Sequence, residues 1–456
     1  MRKIILLVFV VLLMIALTLL FVNDDLKFHN NHEKNLTESL TLEQQIDLAK
    51  TLFEEGKSLG DKEPDKREVS IKIFNKIIDQ FYNEQSTEIN FWVAKSLFYK
   101  GLAFESLGSA YARKELEAYN KIIERFGDKP ELQEWIGKSL VNIADIKSKS
   151  GDIEEALNDL DAVIKRFGDS PKGVFEEIVA RAYFSKGITF ESMWPRKISL
   201  AFAAYDEAFR RFQYAEMAEA REVAGMALFN KASRLSWFGN SYRAETISAW
   251  DDIYKTFNNE TKINLRKLAV FAANRKGEYL LGLIPPDREA ALSTFNDVII
   301  KFKTDSEPNI ERSIAKSMFE RAAIVWWKSA IGSDESIYSY NELIEYTQNK
   351  PHLSTILIKS LIAKAEILTK ISNPKPIESL EIIENIVEKY TQTPYDKKYL
   401  SEALLLKAEI YENLSTKSPR DIRGIYLNYI ELFKNEKERS IKKGLEHAKD
   451  RLKYIK

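Results

Sequence analysis

One pattern that returns about every 45 residues constrains what this 456-residue chain can become. An aromatic or large apolar residue is followed seven positions later by a second aromatic: Phe74/Phe81, Tyr119/Phe126, Leu160/Phe167, Tyr205/Phe212, Trp250/Phe257, Phe295/Phe302, Tyr340/Thr347, Ile383/Tyr390 and Tyr426/Phe433. Only Thr347 breaks the second column, and the neighbouring Tyr346 is expected to compensate. Around each pair the apolar residues keep helical spacing. Tyr119, Ile122, Ile123 and Phe126 fall at i, i+3, i+4 and i+7, one face of a helix, with polar residues on the other side. A second column lies upstream. Gly101, Gly187, Ala232, Gly277, Ala322, Ala365 and Ala408 each precede the first aromatic by 18 residues, and Ala144 precedes Leu160 by 16. A basic residue stands just before most of these small residues, from Lys100 to Lys407. Glycine inside a helix costs roughly 0.5–1 kcal/mol against alanine, so its recurrence requires close approach of a neighbouring helix. Each repeat therefore reads as a helix A carrying the small residue and a helix B carrying the aromatics. All twelve prolines fall between these helices, where they do not interrupt a hydrogen-bond ladder.

The small residue in helix A, and in helix B a small residue followed four positions later by an aromatic or leucine (Ala156/Leu160, Ala201/Tyr205, Ala291/Phe295), resemble tetratricopeptide repeats. The usual tetratricopeptide period is about 34 residues, so longer helices or turns are expected here, as in extended bacterial arrays of this kind. The resemblance implies an all-α fold: a right-handed superhelical solenoid of about nine antiparallel helix pairs over residues 41–436, closed by a capping helix over 437–456. The charged last segment, with its thin apolar stripe, suits a cap with one solvated face.

Residues 4–22 form an apolar run of membrane-spanning length. Arg2 and Lys3 precede it, and Asn23, Asp24 and Asp25 follow. The positive-inside rule predicts an uncleaved signal anchor of an inner, cytoplasmic membrane, with residues 1–3 in the cytoplasm and the repeats in the periplasm or outside the cell. A cleaved signal peptide is the competing reading, but the run is long and lacks a small-x-small site. A buried core helix is a third reading, opposed by the charge asymmetry. Residues 23–40 are polar and aperiodic, which predicts a flexible spacer.

The remaining chemistry is sparse. The chain has no cysteine, which excludes disulfides, thiolate metal sites and cysteine nucleophiles. Lys plus Arg equals Asp plus Glu, 68 against 68, which gives no reason to expect nucleic acid. His29, His32, His352 and His447 have no metal-ligand spacing, and no phosphate-binding loop or nucleophile elbow is present. No catalytic residue, cofactor, metal or small-molecule substrate is expected. The resemblance instead points to a membrane-anchored scaffold for protein–protein interaction, binding a protein or peptide in a concave groove lined by helix A. Carried over by position, it nominates Lys95, Phe98, Glu105, Arg181, Phe184, Glu191, Phe229, Trp237, Lys316, Phe319, Trp326 and Trp327. Trp237, Trp326 and Trp327 stand where sibling repeats are polar, as partner contacts or as local core under a longer turn, whereas Trp92, Trp135 and Trp250 fall in core columns. Two alternatives stay open: a structural part of an envelope complex without a mobile ligand, and a cell-wall glycan binder using the tryptophans as stacking platforms.

Overall fold

The structure, a computed structural model, describes residues 40–169, 171–193, 196–328, 334–390, 397–414 and 418–455. The anchor segment 4–22 and nearly all of the spacer 23–40 lie outside the described residues, as do His29 and His32. Among the described residues, no helix is long and apolar enough to cross a membrane.

The described residues form nineteen α-helices in succession: α1 (Leu42–Lys62), α2 (Arg67–Phe81), α3 (Thr87–Leu107), α4 (Ala112–Phe126), α5 (Gln133–Ser150), α6 (Ile153–Phe167), α7 (Val174–Ser192), α8 (Ile198–Phe212), α9 (Ala218–Ser236), α10 (Arg243–Phe257), α11 (Ile263–Gly282), α12 (Arg288–Phe302), α13 (Pro308–Lys328), α14 (Asp334–Thr347), α15 (Ser354–Lys370), α16 (Pro376–Tyr390), α17 (Lys397–Asn413), α18 (Pro419–Phe433) and α19 (Arg439–Tyr454). Odd-numbered helices from α1 to α17 are the A helices, even-numbered ones the B helices. The second residue of every aromatic pair is the last residue of its B helix. Eight of the nine B helices are 15 residues long and α14 is 14. The first residue of each pair is buried in all nine, at one to three percent exposure or less (Trp250 1%, Phe295 0%, Tyr340 3%). Burying one such side chain contributes about 1.5–3 kcal/mol, so this column alone ties every repeat to its neighbours. Thr347 fills its own place in the second column, buried, by donating its hydroxyl to the Leu343 carbonyl at 2.8 Å. Tyr346 points instead toward Lys350, whose ammonium lies 3.5 Å from its ring centre. Tyr346 is half-buried against the same core, so it adds to the back-bonded threonine rather than replacing it.

The prolines do more than stay out of helices. Pro308, Pro376 and Pro419 are the first residues of α13, α16 and α18, where a missing N–H costs nothing. Thr41 with Gln44 and Ser418 with Asp421 form capping boxes at α1 and α18.

The helices divide into two compact units, one ending at Ala204 and one beginning at Tyr205. Within the first, α1, α3 and α5 each touch the next A helix, and α2, α4 and α6 pack against the A helices before and after them. The second unit repeats the arrangement from α9 to α18. At its end α19 lies on α17 and α18, burying Ile441, Leu445 and Ala448 and leaving a charged opposite face. A helices thus form a continuous wall in each unit, with B helices behind it.

The basic residue before the small column has a partner that the sequence reading did not assign. Lys186, Lys231 and Lys276 reach Asp161, Asp206 and Asp251 at 2.5, 2.6 and 2.6 Å, in each case the residue after the first aromatic of the preceding B helix. Lys407 meets Glu384 in the same place at 2.9 Å. Arg321 and Lys364 face asparagines there (Asn296 and Asn341) and turn to their own B helix, to Glu342 at 2.5 Å and Glu378 at 3.6 Å. These pairs are partly solvated, so each contributes under about 1 kcal/mol; they fix register more than stability.

Candidate protein-interaction cleft

In the second unit, the C-terminal ends of two consecutive A helices leave a cavity of about 590 Å³, closed behind by α10. Helix α9 ends at Ser236 and the chain passes through Trp237 into a 3-10 turn, Gly239–Tyr242. Helix α11 ends at Gly282, followed by Leu283, Ile284 and the Pro285–Pro286 pair, which cannot extend it. Two hydrogen bonds fasten these turns together. The Tyr279 hydroxyl donates to the Gly239 carbonyl at 2.7 Å, and the Asn240 amide donates to the Ile284 carbonyl at 3.0 Å.

The walls are aromatic. Phe229 meets Trp250 edge to face, with ring centres 4.7 Å apart. Trp250 is buried at 1% exposure, yet its indole N–H has no hydrogen-bond partner. A buried donor left unpaired costs about 1–3 kcal/mol. At the mouth, Trp237 and Ile284 are 75% and 85% exposed, and the Arg234 guanidinium lies 4.2 Å from the Trp237 ring centre. The other rim is ionic: Arg275 donates to Glu278 at 3.0 Å, and Lys316 of α13 pairs with the same carboxylate. The cleft thus combines an apolar floor, exposed aromatic and aliphatic lips and a charged edge.

Of the twelve nominated residues, the cleft gathers Phe229 and Trp237, with Lys316 reaching its rim through Glu278. The others are dispersed. Phe98 is buried against Tyr119 and Trp135, at ring distances of 5.6 and 5.5 Å, and has no surface for a partner. The carry-over placed it outward, but Trp135 of the next A helix covers it. Lys95 rests on its own aromatic cluster, 4.3 Å from the Phe53 ring and 4.8 Å from Trp92, and burial lowers its pKa below the usual lysine range. Glu105 is exposed and 3.4 Å from Lys149; Arg181 donates to the Asn142 side chain at 3.0 Å. Phe184 and Glu191 are half-buried on α7. Phe319 packs edge to face on Tyr340 at 5.8 Å, and Trp326 beside it joins the same core. Trp327 is 71% exposed, with Arg288 5.6 Å from its ring. Trp92, half-buried, and Trp135, at 6% exposure, pack in the core of the first unit. Ile284 was missed because it lies past the end of helix A, and Tyr279 because it stands two residues after Gly277, a place the carry-over does not use. The apolar Leu283-Ile284 pair before two prolines, in the turn that follows helix A, was the available signal.

The geometry defines a tandem array of helical hairpins, a tetratricopeptide-like repeat protein. No protein-family model matches the chain, and no curated protein matches it. Among solved structures, an engineered protein is 15% identical, with a TM-score of 0.44, covering 92% of this chain and 98% of its own. The P58(IPK) tetratricopeptide domain is 14% identical, with a TM-score of 0.23 and coverages of 89% and 98%. A designed circular tandem repeat protein is 15% identical, with a TM-score of 0.19 and coverages of 90% and 95%. These overlaps are too small to transfer a partner or a role, so the class rests on the repeat geometry of this chain itself.

Proposed function

We propose that this chain is an interaction scaffold that holds a partner protein by inserting a large apolar side chain into the cleft between α9 and α11. The observation that carries the reading is the cleft lined by Phe229 and Trp250, whose lips, Trp237 and Ile284, are exposed. A preformed cleft on packed helices binds without an ordering cost on its own side. Exposed tryptophan at the edge of such a pocket is the residue type most enriched at energetic centres of interfaces.

Replacing Trp237 by alanine is expected to reduce retention of the partner on the purified full chain at least tenfold. The fold should be unaffected, because the ring is 75% exposed. Unchanged partners at unchanged stoichiometry would sink this reading.

The scaffold is proposed to be tethered to a cytoplasmic membrane through residues 4–22, with the repeats on the outer side. Support comes from the apolar run and from Arg2 and Lys3 before it. Protease added to spheroplasts should digest the repeats; protection there would reverse the placement.

A further inference from the structure

A second cleft, of about 420 Å³, lies in the first unit between α2, the end of α3, and α4. Among the described residues, it holds the one basic residue of the lysine column, Lys100, with no carboxylate at ion-pair distance. In the other repeats that carry this residue, the compensating carboxylate comes from one of three places. These are the position 25 or 23 residues earlier (Asp161, Asp206, Asp251 and Glu384), 21 residues later (Glu342 for Arg321) or 14 residues later (Glu378 for Lys364). Counted from Lys100, the residue 25 earlier is Asn75, and those 14 and 21 later are Lys114 and Lys121. Every place that elsewhere supplies a carboxylate is here neutral or positive.

The cleft is lined by four lysines, Lys72, Lys100, Lys114 and Lys121, against Glu68 and Glu117, and Glu117 is held by Lys121 at 3.0 Å. Burial, with Lys121 next, lowers the Lys100 pKa below the ordinary lysine range; Glu117 and Asp79 oppose this. One wall is flat and apolar: Phe104 and Tyr111 stack with ring centres 5.9 Å apart and planes 15° apart. The Lys114 ammonium stands 5.8 and 5.3 Å from those two rings.

We propose that this cleft is an anion site, taking a carboxylate or phosphate at Lys100 and Lys114, with Lys121, already paired to Glu117, at its edge, from a ligand whose planar apolar part lies against Phe104 and Tyr111. The ligand supplies the charge that the other repeats supply internally. A half-buried ammonium without a counter-charge is costly, and a ligand anion offsets that cost with charge-assisted hydrogen bonds. The site is in the other unit from the Trp237 cleft and does not depend on the reading of that cleft.

The test uses ligand-observed NMR on the full chain with phenyl phosphate, benzoate, inorganic phosphate and the neutral benzyl alcohol. Phenyl phosphate or benzoate is expected to bind at least tenfold more tightly than benzyl alcohol and than inorganic phosphate. Tighter binding of phenyl phosphate assigns the natural group as a phosphate, and tighter binding of benzoate assigns it as a carboxylate. Asn75→Asp restores the internal ion pair, so it should abolish binding while the melting temperature holds or rises. Lys100→Gln should abolish binding as well. Undiminished binding in Asn75→Asp, equal binding of benzyl alcohol, or equal binding of inorganic phosphate would each overturn the proposal.

Discussion

Gly277→Val is expected to destabilise the α11–α12 hairpin by about 3 kcal/mol, the upper range for overpacking a close-packed core. A Cβ on Gly277 would stand 2.5 Å from two ring carbons of Phe295, and Phe295 is fully buried and has no room to retreat. Valine adds two further carbons in the same direction. Gly277→Ala places that same Cβ but nothing beyond it, so it should cost less, about 1 kcal/mol, because the helix propensity alanine regains offsets only part of the overpacking. Ala232, Ala322, Ala365 and Ala408 already occupy the equivalent register in sibling repeats, fully buried. A repeat array need not unfold in one step, so the readout is local hydrogen exchange of α11 and α12 rather than a global melt. Equal protection in Gly277→Val and the parent chain would mean that the glycine column is not set by helix approach.

Glu115→Gln is expected to change stability in a pH-dependent way. Glu115, in the first turn of α4, is 7% exposed, and burial, with Glu105 and Asp145 nearby, raises its pKa to about 7; Lys149 opposes the shift. The unfolded chain titrates near 4.3, so between about pH 4.5 and 7 the folded state holds a proton that the unfolded state has lost. Stability from this group is therefore full below that window and falls as pH rises through it, leaving a penalty of about 2–3 kcal/mol above pH 7. The glutamine variant should match the parent at pH 4 and exceed it at pH 8 by about that amount. Parallel pH profiles for the two proteins would show that Glu115 is not held protonated by its surroundings.

Much of the architecture was legible because it depends on local periodicity. The 3.6-residue spacing around Tyr119 and Phe295 gives a helix face directly, and the small residue 18 positions upstream gives the packing partner. The second aromatic column even marks where each B helix stops. Contacts across a turn were less legible. The lysine column was visible, but its pairing with Asp161, Asp206 and Asp251 depends on how helix A seats on the preceding B helix, which no spacing within one repeat specifies. The cleft was half legible. Phe229 and Trp237 came from register, whereas Ile284 and the unpaired Trp250 N–H depend on how two turns meet. Phe98 was misplaced for the same reason: its cover, Trp135, comes from a neighbouring A helix.

The most direct measurement of the scaffold reading places a photo-crosslinking amino acid at Ile284 of the full chain, in the cells that naturally produce it. One discrete protein adduct is expected from that position, lost when Trp237→Ala is added. None is expected from Ile300, which is as exposed, at 81%, but lies on the B helix α12 away from the cleft. No adduct from position 284, or the same adduct from both positions, would contradict a partner held between α9 and α11.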